Sequence, residues 1–393
     1  MSFNLIRNAR MFFTTNVNTN TGVVATTGFT ASNTKEIQVL DGLSFSQNTG
    51  SETVTLNEAG TTPVRGQRSF NTSLEPVELT FSTYIRPSYT NDGNNDVIDA
   101  EEDVLWNAFA AGYVDGSAEL IGGANAAWVK TPDASTPYST LSMTNSGKNQ
   151  MQRFGVIVLL DSTSYVIDNC VLDQATIDFG LDAIATIAWT ARGSVLRSAT
   201  ITANSASPVV FSGAYFTAGT NEAKAKNTTA PFLANKLSTV AVTSNISGTA
   251  GTAYSLALTG GSITLANNVT YLTPANLGVV NKPVTYFTGT RAISGSINCY
   301  LRTGNTNSAG LLSQMLIDSA TDVDPAFQVI IKIGGIGANR VELSMPACVL
   351  TIPTINTEQV VSTTINFTAQ GYSGTTFAID SANEVTLKYY AAL

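Results

Sequence analysis

Apolar and polar residues alternate with a period of two along much of the chain. Val77, Leu79, Phe81, Thr83 and Ile85 fall on one face of an extended segment, and Glu78, Thr80, Ser82 and Tyr84 on the other. Ile293, Ile297, Cys299 and Leu301 are set against Ser294, Ser296, Asn298 and Tyr300 in the same way. Ile187, Trp189 and Ala191 are backed by Thr186, Ala188 and Thr190, and Ile365, Phe367 and Ala369 by Thr364, Asn366 and Thr368. These segments predict half-buried strands. The spacing turns helical at two places. Val104, Leu105, Ala108 and Phe109 form a stripe after Asp99, which can cap, with Glu102 three residues on and Gly112 closing the helix. Ser308 precedes Leu311, Leu312, Met315 and Leu316. Each stripe is narrow, so each helix is expected on a sheet's apolar face, with the sheet's polar face left outside the core.

The two sets of elements repeat in order. Cys170 to Gly193 aligns without gaps on Cys348 to Gly371, with ten of 24 positions identical, among them Thr176/Thr354, Ile187/Ile365 and Gly193/Gly371. Trp189/Phe367 keeps an aromatic, and Phe154-Gly-Val-Ile matches Phe327-Gln-Val-Ile. Upstream, Val77 to Arg86 matches Ile293 to Arg302, joining Tyr84 to Tyr300, and Asp41 to Ser46 lies opposite Gly261 to Ala266. Ordered matches indicate a duplicated unit. The expected division is a first copy over 1–200, a linker over 201–230 and a second copy over 231–393.

Composition sharpens this. Apolar residues make up 43% of the 393, enough for real cores, but charged residues only 12%, about half the usual share. Thr, Ser, Asn and Gly take their place, so the fold class is mainly β, each copy a β-sandwich or partial barrel with one flanking helix. Wet outer faces of ordinary sheets carry more Lys and Glu, which also protect edges. Their scarcity favours strands paired into a larger closed barrel, with a plain exposed sheet as the alternative.

Several chemistries recede. The chain has no histidine, the commonest general base and metal ligand. Its net charge is −8, without a Lys/Arg run, opposite to what gripping phosphates requires. The first ten residues hold no apolar run of signal-peptide length, and no 18-residue apolar stretch predicts a membrane span. Cys170, Cys299 and Cys348 lack C-x-x-C spacing and read as buried thiols, one in each core for the matched pair. Asn91 to Asp103 resembles a calcium loop, but Gly93 and Asp96 fall in the wrong register, and a helix N-terminus explains the acids. Gly334 to Gly337 lacks the Lys-Ser/Thr of a phosphate loop and reads as a hairpin turn. Asp178 with Asp182 forms no coherent catalytic site, and Asp178 becomes Asn356 in the second copy. No catalytic residue, metal or cofactor is expected.

Further segments carry a resemblance: Asn4 to Phe12, Thr53 to Gly60, Arg65 to Asn71, Phe81 to Ile85, Asn268 to Pro274, Phe287 to Thr290 and Ile352 to Ile355. In these the chain resembles the tail tube proteins of long-tailed bacteriophages, in the duplicated form of the coliphage T-five type. The resemblance implies a virion structural protein whose two domains stand for two of six ring positions, so that three chains close a pseudo-hexameric β-barrel ring. It implies stacked rings around a tape measure protein, contacts with tail terminator and distal tail or baseplate proteins, and assembly in the bacterial host cytoplasm. DNA would pass without specific binding. Some relatives add an immunoglobulin-like domain, which this chain is expected to lack.

A wall without phosphate-gripping cations suits such a conduit. The lumen-facing candidates are Glu78, Thr80, Ser82, Thr186, Thr190, Ser294, Ser296, Asn298, Thr364, Asn366 and Thr368. The rival reading is a carbohydrate-binding or surface-layer β protein, disfavoured by the missing secretion signal and an expected shortage of exposed aromatics.

Overall fold

Strict alternation yields strands here because each segment has one face that water disfavours and one that it tolerates. The computed structural model describes residues 9–25, 29, 33–54, 68–91, 96–110, 128–129, 138–143, 151–160, 163–199, 201–202, 209–211, 214–216, 232–244, 251–323, 326–335, 339–356, 360–373 and 383–391. Outside these lie most of the expected linker, Gly93 of the calcium-like loop, Gly112, and Ile336 and Gly337 of the glycine-rich turn.

The first half contains β1 (Ala9–Thr14), β2 (Thr34–Ile37), β3 (Ser44–Ser46), β4 (Thr49–Val54), β5 (Arg68–Leu74) and β6 (Val77–Tyr84). Next come β7 (Pro87–Asn91), β8 (Asp96–Ala100) and α1 (Asp103–Ala110). Beyond them lie β9 (Trp128–Val129), β10 (Tyr138–Ser142), β11 (Phe154–Leu160), β12 (Thr163–Asp178), β13 (Thr186–Gly193) and β14 (Val195–Ala199). Three short strands, β15 (Ile201–Thr202), β16 (Val209–Phe211) and β17 (Ala214–Phe216), form their own small sheet.

The second half begins with β18 (Thr239–Ser244), β19 (Ala253–Ser255), β20 (Ala257–Ala266), β21 (Val269–Leu272), β22 (Thr285–Thr288) and β23 (Ala292–Tyr300). It ends with α2 (Ser308–Thr321), β24 (Phe327–Ile333), β25 (Arg340–Thr351), β26 (Ile355–Asn356), β27 (Ser362–Gln370) and β28 (Thr386–Tyr390).

Each half has two layers joined by one long strand. In the first, the early part of β12 pairs with β11 and β14, and its late part with β13, on which β6 and then β3 are added. In the second, β25 pairs with β24 and β28 early and with β27 late, and β27 is extended by β23 and β20. The inner layers therefore read β3-β6-β13-β12 and β20-β23-β27-β25, the same order twice. They are joined edge to edge, β12 against β20, into one antiparallel sheet.

Between the layers lies the core. Val77, Leu79, Ile187, Trp189, Ile293, Ile297, Ile365 and Phe367 are all buried. Trp189 keeps its indole N–H satisfied by donating to Thr83 Oγ1 at 2.9 Å, which explains a threonine on the apolar face. In the second half Phe367 fills the space left by Gly295, where a Cβ would stand 2.5 Å from its ring. The three cysteines are free and buried in these cores. Burial raises their thiol pKa values, that of Cys299 to about 11.

Two local expectations change. Asp99 belongs to β8, paired with Ser88 of β7, and α1 starts only at Asp103. The described part of the acidic segment thus runs through a strand that includes Ile98, and Glu102 turns inward instead of closing a capping box. The register of the repeat also slips. Thr186 faces Tyr84, whereas its counterpart Thr364 faces Asn298, two residues from Tyr300. A shift of two keeps every side chain on its face, so the alternation could not reveal it.

Candidate functional site

The polar face of the joined sheet brings all eleven candidate residues together. Cross-strand register lays them out in rows. One runs Ser82, Ala188, Thr176, Thr264, Ser294, Thr368, Val349; the next runs Tyr84, Thr186, Asp178, Ser262, Ser296, Asn366, Thr351. Thr80 and Thr190 are paired in a third row with Ser44 and Gln174, Glu78 pairs with Arg192 and Ser46, and Asn298 pairs with Thr364. None of the eleven is buried: Glu78, Thr80, Ser294, Thr364, Asn366 and Thr368 are exposed and the other five half-buried.

Three polar pairs on this face bond across strands. Thr176 and Thr264 hydroxyls lie 3.2 Å apart, Ser262 and Ser296 hydroxyls 3.3 Å, and Thr364 Oγ1 donates to Asn298 Oδ1 at 2.9 Å. The face also holds a cation that the candidate set omits, Arg192. Its Nε donates to Asp173 Oδ2 at 3.0 Å, so its charge is matched by a carboxylate of the same wall.

Sequence reasoning missed Ser44, Gln174, Thr176, Asp178, Ser262 and Thr264. Alternation in β12 was visible, but its neighbour across the seam was not, because a period of two reports a face and not an adjacent strand. Asp178 lies on this face between Thr186 and Ser262, while Asp182 is exposed and 3.7 Å from Lys236. The expected shortage of exposed aromatics has four exceptions among the described residues. Phe70, Phe232, Phe287 and Tyr300 are all exposed, Phe232 beneath the Arg86 guanidinium at 4.5 Å.

At the seam, Asp173 is the bulged residue of β12 and ties the halves together. Its Oδ1 accepts from Val269 N at 2.7 Å and its carbonyl from Asn267 N at 2.8 Å. The Asn267 amide donates to Phe109 O and Leu172 O at 3.1 and 3.3 Å. The β21–β22 hairpin then folds back over the first half. Tyr271 donates to Asn169 O and to Arg192 O, and Tyr286 to Met151 O.

A second clasp is the C-terminal strand. β28 pairs with β25 of its own half and with β10 of the other. Tyr389 donates to the buried Glu102 carboxyl and accepts from Trp106 Nε1 at 2.8 Å, and Trp106 meets Trp189 edge-on at 4.8 Å. Burial pushes the Glu102 carboxyl up to about 8, so it stays protonated near neutrality.

No protein-family model matches the chain. The tail tube protein pb6 of Escherichia phage T5 is 28% identical over 379 residues, which cover 94% of this chain and 73% of that protein. Among the described residues, no helix is long and apolar enough to cross a membrane.

Proposed function

We propose, from the premise that the chain is a T5-like tail tube protein and so a component of the virion tail, that it is the major tube subunit and that its joined polar sheet becomes the lumen wall. The observation that carries this is the continuity of that face across eight strands of both halves, with its Arg192 already paired to Asp173. Three such chains, as two homologous units each, would close a pseudo-hexameric barrel. At ~4.8 Å per strand the eight strands of each chain supply about 38 Å of arc, which gives three chains a bore of roughly 37 Å across at the backbone before tilt widens it.

Such a ring leaves room for a tape measure protein and, after its release, for DNA. An acidic chain whose wall arginine is neutralised repels phosphates and keeps the sliding barrier low. The role is structural, with self-contacts within and between rings and terminator and distal tail proteins at the ends. The exposed aromatics give the carbohydrate-binding alternative an observation of its own. Negative-stain microscopy of the purified chain separates the two: open rings or hollow rods support the tube, whereas dispersed monomers that retain a glycan column overturn it.

A further inference from the structure

Among the described residues the inner sheet ends in two open edges, β3 at one side and the last residues of β25 at the other. The molecule itself contains the pattern for closing them. We infer that β3 of one chain pairs antiparallel with Val349–Thr351 of a second copy, in the register that β20 already uses on β12. This pairing rests on the ring reading and specifies its contact.

The hydrogen-bond ladders set the register. Ala188 faces Thr176, and Asn366, the counterpart of Ala188, faces Thr351, so Thr351 stands where Thr176 stands. Thr80 faces Thr190, and Ser294 faces Thr368, the counterpart of Thr190, so Thr80 stands where Ser294 stands despite the sequence alignment. Ser44, opposite Thr80, therefore stands where Thr264 stands. Thr176 and Thr264 are partners across the internal seam, in direct register. Repeating that seam between chains sets Ser44 opposite Thr351 and Ser46 opposite Val349. The ungapped sequence alignment gives a different answer, pairing Thr176 with Thr354, and thus predicts Ser44 opposite Thr354.

Exposure points the same way. Ile177, next to Thr176 under the internal seam, is 0% exposed, while Ile352, next to Thr351, is 46% exposed. An apolar side chain beside a row of unpaired backbone groups is what a strand edge presents when its partner is another molecule. The two edges differ from each other, so the contact is head-to-tail, and each copy offers one edge and receives the other.

The test is disulfide trapping in assembled material. Residues directly opposite in an antiparallel pair have Cβ atoms about 4.5–5.5 Å apart, near enough to bridge after a small adjustment. Within one chain Ser44 and Thr351 are separated by seven strand spacings, about 34 Å along the sheet, so a bridge between them must join two chains. Ser44→Cys with Thr351→Cys should give oxidised dimers and trimers on non-reducing gels, collapsing with reductant, while either single variant and the Ser44→Cys, Thr354→Cys pair stay monomeric. Should the first pair disturb folding, Ser46→Cys with Val349→Cys reads the same register. Rings seen by microscopy without this ladder, or with the ladder arising from the Thr354 pair, overturn the register and leave the ring reading intact. An unmodified chain that forms no rings overturns both.

Discussion

The two halves share a strand order, yet they place the elements around their inner strands differently. The hairpin β21–β22 lies docked on the first half, with Val269, Tyr271 and Tyr286 buried, whereas its positional counterpart β4–β5 projects Val54 and Phe70 into solvent, the latter 47% exposed. The helices show the reverse asymmetry. Every residue of α1 is buried, and Trp106 at its centre touches the C-terminal strand of the other half. In α2 only Ser308, Leu311, Met315 and Asp318 are buried, with Leu316 and Ile317 about half exposed. One fold thus supplies several surfaces twice, and each pair has one member satisfied inside the chain. Left exposed in the single chain are the outer part of the first arm, whose base bonds Asn281 through Thr72 O and Leu74 N, and one face of the second helix. Four tests bear on that division.

Trp106→Ala removes the largest side chain that the first helix buries and takes a hydrogen-bond donor from Tyr389. It should cost about 3–5 kcal/mol in denaturant unfolding. A cost below about 1 kcal/mol would mean that the C-terminal clasp is not holding the first half together.

Asn267→Ala removes the amide that two carbonyls share at the seam, and should cost about 1–3 kcal/mol. Its positional counterpart Gln47, which donates to Glu75 O and Ser194 O from a half-buried site, is expected to cost less. Equal costs would show that the internal seam is no better sealed than the open edge.

The faces of β6, β13, β23 and β27 were legible from alternation alone, because burial on one side imposes a local period; the helical stripes were not, since α1 is buried all round and Leu316 of the α2 stripe is exposed. What joined the faces was not legible. The β12–β20 seam links residues 88 positions apart at Thr176 and Thr264, and nothing local marks either as the other's neighbour. The clasp of Tyr389 on Glu102 spans 287 positions, and the reading of Asp99 and Glu102 as a capping box failed for the same reason: a distant tyrosine claims the carboxyl that local geometry assigns to the helix start. The identity between Cys170–Gly193 and Cys348–Gly371 was real information, but an even slip in the strands it pairs with left no trace in the polar pattern.

Glu102 gives the clasp a pH signature. Its carboxyl titrates near 4.5 when unfolded and about 8 when folded. Below pH 4.5 both states hold the proton and the clasp contributes fully. Between 4.5 and about 8 the unfolded chain releases a proton that the native state keeps, so stability falls as pH rises, by up to about 1.4 kcal/mol per unit. Glu102→Gln, which stays neutral and can still bond Tyr389, should flatten this part of the stability–pH curve. A slope unchanged in that variant would place the titration elsewhere.

The smallest effects belong to the surfaces left exposed. In the dispersed chain Leu316→Ser and Phe70→Ser should each change stability by no more than about 0.5 kcal/mol, since neither side chain is packed away from water. Tyr286→Phe, on the docked arm, should cost about 1 kcal/mol through the lost bond to Met151 O. The contrast matters more than either value, because both arms grow from equivalent strands and differ chiefly in how much of each the chain covers: among the described residues the first arm is bonded only at its base, to Asn281. If Phe70→Ser destabilised the monomer as much as Tyr286→Phe, the first arm would be docked within its own chain in solution. The asymmetry between halves would then record two ways of folding one hairpin, with no surface held in reserve for a neighbour.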